Sequence, residues 1–303
     1  VAAIQGNVPR LGLDDVTQAQ AVFDNHVAQT ETLVAQQNRP DLIVWPENAV
    51  DTDPLGDASA RQHITTLAGQ LNRPILVGGL VSDGDVLTNS GLLWMPDGTI
   101  AGRYDKNHLV PFGEYIPWRT LLASRISRLD QIPRDMTPGR GAGILSLTTS
   151  RGISVKLGDV ICFEVAYDDH VRHAVRQGAQ LLTVQSNNAT YAYTDQPAQQ
   201  LMITRFRAIE HHRAAIVATT TGDSALIAQD GRVVATAPRL VAATVTGQAD
   251  IVSRLEPVDR WWPWPRLVAL ALVVAEVYRR RSWRAVRGLR PRASQGGARS
   301  RGV

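Results

Sequence analysis

The sequence predicts an α/β fold, and three observations predict it. Apolar runs alternate with amphipathic helical segments through the first 80 residues. Two further runs, Leu87–Met95 and Thr99–Tyr104, flank Pro96-Asp97-Gly98, a turn sequence that joins antiparallel strands. From residue 143 onward strand-like and helical segments alternate again, with no internal repeat.

Taken in order, Val1–Gln5 reads as a strand, Asp14–Gln37 as a helix and Asp41–Trp45 as a buried strand. Ala58–Leu71 is helical and Pro74–Leu80 a third strand. Residues 105–142 carry proline or glycine at 111, 113, 117, 133, 138, 139 and 141, which predicts a long irregular segment of the kind that carries function in a compact domain. Strands follow at Gly143–Leu147 and Ile153–Ile161, a helix at Val165–Gln177, a strand at Gln180–Gln185 and a helix at Gln196–His212. The pattern closes with strands at Ala214–Thr219, Ser224–Ala228, Val233–Ala237 and Val241–Asp250. We expect a catalytic domain over 1–250, a linker over 251–260, a hydrophobic helix over 261–278 and an irregular basic tail over 279–303. Because Val1 opens in mid-strand without an initiator Met, a preceding part is expected upstream.

The formal net charge is +4, but nine arginines and no acids fall in residues 279–303, so residues 1–278 carry −5. The basic character belongs to the tail, and nucleic acid is not an expected partner. Residues 261–278 place three tryptophans at one end of an apolar run and Arg279-Arg280-Arg281 at the other, the arrangement of an interfacial belt and a positive anchor. The uninterrupted run Leu267–Ala275 is short for a span. Two readings follow, a membrane-spanning helix and an amphipathic helix lying on a membrane or docked on the domain.

Four segments concentrate chemistry. In Trp45-Pro46-Glu47-Asn48 a buried strand delivers a carboxylate to the edge of the sheet, as a proton acceptor or as a loop-fixing acid. Tyr104-Asp105-Lys106 ends a strand in one of only two lysines among 32 basic residues; a compact ammonium suits an oxyanion or a thiol neighbour. Lys156, inside an alternating strand, reads as a surface residue. His108-Leu109-Val110-Pro111-Phe112-Gly113-Glu114-Tyr115-Ile116-Pro117 sets a second carboxylate among apolar residues. Finally, Gly158-Asp159-Val160-Ile161-Cys162-Phe163-Glu164 places the single cysteine where a strand passes into a helix, near free N–H groups and the positive helix end. Glu164 orients Lys106 or serves as a first-turn acid. His211, His212 and His108 are poor candidates for a base.

As a set, Trp45-Pro46-Glu47, Tyr104-Asp105-Lys106, Leu109 to Pro117 and Cys162-Phe163-Glu164 resemble the carbon–nitrogen hydrolase (nitrilase) superfamily, and Ile4 to Pro9, His108 to Pro117 and Arg205 to Val234 resemble its apolipoprotein N-acyltransferase branch. The resemblance implies a four-layer αββα sandwich. It implies Glu47 as base, Lys106 as oxyanion partner and Cys162 as nucleophile, with Glu114 and Glu164 in support and Phe112, Tyr115, Phe163 and Asn187 at the substrate. It further implies acyl transfer from a phospholipid donor, through a thioester, to the amine of a diacylglyceryl-apolipoprotein at the plasma membrane, with the domain extracytoplasmic and the basic tail cytoplasmic. No cofactor and no metal is implied. Two departures stand out. Phe163 replaces the branch's usual tyrosine, and Ser186-Asn187-Asn188-Ala189-Thr190-Tyr191 displaces the aromatic of a family loop and lacks its glycine. The alternatives are an amidase acting on a small amide and a catalytically silent binding module.

Overall fold

The structure, a computed structural model, describes residues 1–9, 15–119 and 134–288. Residues 120–133 of the expected irregular segment and 289–303 of the tail therefore lie outside the described residues, as does the start of the first predicted helix. The chain divides into two units, Val1–Asp259 and a C-terminal one from Arg260.

The first unit is built on two six-stranded sheets. One has the order β12-β1-β2-β3-β4-β5, with β1 at Ala2–Gln5, β2 at Ile43–Val44, β3 at Ile75–Asp83, β4 at Val86–Trp94, β5 at Ile100–Asp105 and β12 at Ala243–Thr246. The other has the order β11-β10-β9-β8-β7-β6, with β6 at Ile144–Thr148, β7 at Ser154–Ile161, β8 at Leu181–Ser186, β9 at Ala215–Thr219, β10 at Ala225–Ile227 and β11 at Val233–Thr236. The central strands β1-β2-β3 and β7-β8-β9 are parallel, the flanking ones antiparallel.

Alternation along the strands separates three cores. Ala3, Val44, Leu76 and Leu93 of the first sheet face Leu157, Ile161, Ile216 and Leu226 of the second, and this apolar layer joins the sheets. Ile4, Ile43, Ile75 and Val77 point the other way, onto Phe23 and Leu33 of α1 (Asp15–Ala35) and Ile64 and Leu67 of α2 (Ala58–Leu71). On the far side Val160, Leu182, Val184 and Val217 pack on Val171 and Val175 of α3 (Asp168–Arg176) and Ala208 of α4 (Gln196–His211). Helices thus cover both outer faces, as parallel strands require when both sides are apolar. α2 shows why such segments stay helical. Asp57 caps its first turn by accepting from the Ser59 and Ala60 N–H groups, Asn72 closes it in the left-handed region, and Ala60, Ile64, Leu67, Ala68 and Leu71 form the buried stripe.

Three expectations are corrected. The second strand is only two residues long, because Trp45 makes the last ladder bond, to Leu76, and Pro46 has no N–H to continue it. Residues 251–259 are not a free linker. Val252 donates to the Gln180 carbonyl, Arg213 donates to that of Arg254, and the buried Asp259 carboxylate sits 2.7 Å from His211 Nδ1, so the first unit runs on to Asp259. The C-terminal helix, α5 (Trp264–Gly288), continues ten residues beyond the predicted apolar segment, where an irregular tail was expected. Arginine favours helix, and Glu276 pairs with Arg279 and Arg280 one turn on. Charges at Arg266, Glu276 and Arg279 break up the apolar window, and among the described residues no helix is long and apolar enough to cross a membrane.

Candidate active site

Glu47, Lys106 and Cys162 follow β2, β5 and β7, and Asn187 follows β8, so the strand ends bring residues distant in sequence to one edge of the sandwich. The exit from β2 depends on a glycine. A Cβ on Gly78 would fall 2.2 Å from the Pro46 carbonyl, so only glycine lets the Pro46-Glu47 turn cross β3. Cys162 itself adopts φ +57, in the left-handed region, at the start of a five-residue 3-10 turn (Cys162–Ala166). The expected helix begins later, at Asp168, so the thiol lies at a tight turn rather than at the end of a long helix dipole. The first-turn amide of Phe163 has no intrahelical acceptor and is available to an oxyanion.

The charged members form one hydrogen-bonded cluster. Lys106 Nζ donates to Glu47 Oε1 at 2.8 Å and to Glu114 Oε1 at 3.0 Å. Asn89 Nδ2, from β4, donates to the same two oxygens at 2.7 and 2.8 Å. The other Glu47 oxygen accepts from the Asn187 N–H at 2.8 Å, and the other Glu114 oxygen from the Val110 N–H at 2.7 Å. All three charged groups are buried.

Burial alone raises the Glu47 carboxyl, but Lys106, the Asn187 N–H and the Cys162 thiol outweigh it and hold the carboxyl below its ordinary range. For Lys106, burial works to lower the ammonium, and Glu47, Cys162 and Glu114 together raise it. The Cys162 thiol, only 8% exposed, is pushed up to about 12 by burial first and by the neighbouring Glu47 charge second, with Lys106 opposing. The resting site therefore pairs a neutral thiol with an ionised carboxylate and an ammonium.

Glu164 is completely buried and lies one step back from the thiol. Its Oε1 accepts from the Asn107 and His108 N–H groups at 2.7 and 3.0 Å, and its Oε2 from the Ile161 N–H at 2.9 Å. The Tyr104 hydroxyl reaches both oxygens. One side chain thus ties the residue before Cys162 to the residues after Lys106, a positioning task beyond that of a first-turn acid.

A cavity of about 550 Å³ opens over the sulfur. Glu47, Lys106, Glu114 and Cys162 form its charged side, while Val110, Met136, Phe163 and Ile203 supply apolar walls, with Asn187, Tyr191 and glutamines of α4 at the margin. Of the four residues expected at the substrate, Phe163 and Asn187 line it. Asn187 takes part through its main chain, because its side-chain oxygen is engaged by Thr220 and the Ala189 N–H. Phe112 and Tyr115 do not line it. The turn that aims Glu114 inward at Lys106 leaves Phe112 54% exposed at its tip with φ +62, and Tyr115 borders a separate cavity beside His108 and Tyr167. Lys156 is exposed, His211 is held by Asp259, and His108 stacks on Tyr167 at 4.1 Å, so none of these joins the thiol.

Two participants escaped the sequence reading. Asn89 lies in the Thr88-Asn89-Ser90 run, and a run of buried polar residues inside a strand was the available signal. Tyr191, noted only as a displaced aromatic, brings its hydroxyl to 3.8 Å from Cys162 Sγ and donates to the Asn187 carbonyl at 3.2 Å. Among the described residues no group of three or more His, Cys, Asp or Glu side chains is arranged to hold a metal.

Comparison with known proteins identifies the family and the fold. Residues 1–255 match the family described as carbon-nitrogen hydrolase, and the chain belongs to that family. It is 40% identical over 288 residues to a protein named apolipoprotein N-acyltransferase from Mycolicibacterium smegmatis, covering 91% of this chain and 47% of that one. It is 31% identical over 290 residues to the protein of the same name from Geobacter metallireducens, covering 93% and 54%. The chain thus spans about half the length of the curated relatives it matches. Among solved structures, an amidase from Nesterenkonia sp. AN1 superposes with a TM-score of 0.59 at 15% identity, covering 89% of this chain and 98% of that one. A nitrilase-superfamily member from Saccharomyces cerevisiae gives 0.58 at 16% identity, covering 80% and 86%. At these identities the structures establish a shared fold.

Proposed function

We propose that the chain transfers an acyl group by way of a Cys162 thioester, from a membrane phospholipid to the α-amine of the diacylglyceryl-modified cysteine of an apolipoprotein. The observation that carries this reading is a thiol, base and ammonium set at one end of a cavity that also has an apolar side, formed by Val110, Met136, Phe163 and Ile203. The 40% identity to a protein named for this activity supports the choice of reaction within the family.

Glu47 takes the Sγ proton as sulfur attacks the ester carbonyl, because a thiol held so high does not ionise in advance. Lys106 and the Phe163 amide receive the oxyanion. The tetrahedral intermediate collapses, the ester C–O bond breaks, and the lysophospholipid alkoxide leaves with the proton from Glu47. The acceptor amine then attacks the thioester, gives up a proton to Glu47, and the thiol is restored as the amide forms. Apolar walls keep water from the thioester, which separates transfer from hydrolysis.

A location at a membrane surface, on its extracytoplasmic side, is part of the proposal. Along α5, Trp264, Leu267, Val268, Leu270, Leu272, Val273 and Val274 are all exposed, followed by arginines, which suits a helix lying among lipid head groups. The test is incubation of the protein with phospholipid vesicles and mass spectrometry of the Cys162 peptide. An acyl-sized increment is expected, absent from Cys162→Ser and from Glu47→Ala. No increment, together with turnover of a small soluble amide, overturns acyl transfer.

A further inference from the structure

Between the two sheets, behind the site, two hydrogen-bond acceptors meet without a donor. Asp159 lies on β7 and Gln185 on β8, and both side chains are fully buried. Across from them on β4 stands Gly91, and a Cβ built there would fall 2.1 Å from Asp159 Oδ2 and 2.7 Å from Gln185 Oε1. The two oxygens therefore converge on one point, and neither has a partner. The remaining atoms of both side chains are committed. Asp159 Oδ1 accepts from the Thr183 hydroxyl at 2.7 Å, and Gln185 Nε2 donates to the Trp45 carbonyl at 2.6 Å. Turning the amide over does not help, since its oxygen would then face the Trp45 carbonyl. A carboxylate, an amide oxygen and a carbonyl cannot all be satisfied by one NH2 group that faces one way, whereas a protonated acid supplies the missing donor.

We propose that Asp159 is a positioning residue held as the neutral acid, donating its proton to Gln185 Oε1 and so locking Gln185 Nε2 onto the Trp45 carbonyl, two residues before Glu47. The chain of contacts runs from the second sheet, which carries Cys162, to the strand end of the first, which carries the base. It fixes the distance between Glu47 and the thiol across the layer where the two sheets meet. Burial pushes the Asp159 carboxyl up to about 7, with the Glu164 charge adding to the effect. Tyr104, from β5, also faces it among the described residues, and Asp159 in turn helps to raise that phenol. Glu164 and Asp159 thus share a buried region in which one carboxylate is saturated with N–H donors and the other keeps its proton.

The inference rests on the reading of Glu47 as the base of Cys162. Its test uses iodoacetamide, whose reaction with the thiol needs no lipid, so failure here is distinct from failure of acyl transfer. In infrared difference spectra of the full chain at pH 6, wild type minus Asp159→Asn, the carbonyl band of an un-ionised carboxylic acid is expected. Asp159→Ala should slow Cys162 alkylation at pH 6 about tenfold, the worth of one hydrogen bond, and Asp159→Asn, whose amide also donates to Gln185, should restore it. Wild type should lose stability relative to Asp159→Asn as pH rises from about 4, the unfolded value, to about 7, and no further above it. Absence of the acid band at pH 6, or an Asn variant as slow as the Ala variant, overturns the proposal, since a hydrated carboxylate would behave that way. Should Asp159→Ala fail to fold, the infrared band and the pH dependence of the Asn variant decide alone.

Discussion

The two walls of the cavity over Cys162 come from different sheets and obey different physics. The first sheet contributes Glu47, Lys106, Glu114 and Asn89, a cluster in which every carboxylate oxygen has a donor before any substrate arrives. The second contributes Cys162, Phe163 and Tyr191, with the thiol neutral and Phe163 51% exposed. The charged side chains are thus assembled from one sheet, with the Asn187 N–H of the other as an added donor to Glu47, and the reacting sulfur is presented to them by that second sheet. Breaking the charged wall should cost far more than trimming the neutral one, because a buried charge that loses its partner keeps its desolvation penalty.

The largest effect is expected from Lys106→Met. It leaves the Glu47 and Glu114 carboxylates facing each other in a buried site, which should destabilise the domain by about 3–5 kcal/mol in chemical denaturation, with no adduct formed on Cys162. Next, Glu47→Gln keeps the shape but removes the base, and alkylation of Cys162 at pH 7 should fall by about a hundredfold or more. The same substitution has a pH signature. Because the folded-state carboxyl of Glu47 lies below its unfolded value, its contribution is present above the ordinary carboxylate range and lost as pH falls through the folded value. Wild type should therefore lose more stability on acidification than Glu47→Gln, and equal slopes would place no net stabilisation on that ion pair.

A smaller loss is expected at the joint between the walls. Glu164→Gln retains one acceptor oxygen for the N–H groups of Asn107, His108 and Ile161, and should cost about 1–3 kcal/mol with a proportionate fall in alkylation rate. The smallest belongs to the neutral wall. Tyr191→Phe removes a hydroxyl whose contact with the sulfur is long, and should shift the pH profile of alkylation upward with only about a two- to threefold slower rate at pH 7. A Tyr191→Phe loss as large as that of Glu47→Gln would show that the neutral wall takes part in the chemistry and erase the contrast.

Legibility in the sequence followed the same division. Glu47, Lys106 and Cys162 stood out because each ends a strand and each is of a rare type here, one of seven glutamates, one of two lysines and the single cysteine. Asn89 was hidden because a polar residue in mid-strand carries no motif, and its two acceptors come from segments 42 and 25 residues away. Phe112 and Tyr115 illustrate the opposite failure. The family resemblance put them at the substrate, but the turn that sends residue 114 inward leaves both outside the lining of the cavity over Cys162.

By itself the sequence determined the order of strands and helices, the apolar alternation that sorts three cores, and the residue types able to do thiol chemistry. These are local properties, set by side-chain period and by what each functional group can donate or accept. Only the tertiary structure decided that Glu164 ties two strand ends together, that Asp159 meets Gln185 without a donor, and that residues 251–259 belong to the first unit. Each of these depends on which groups share a buried space, and burial fixes protonation and partners only after the sheets have closed upon one another.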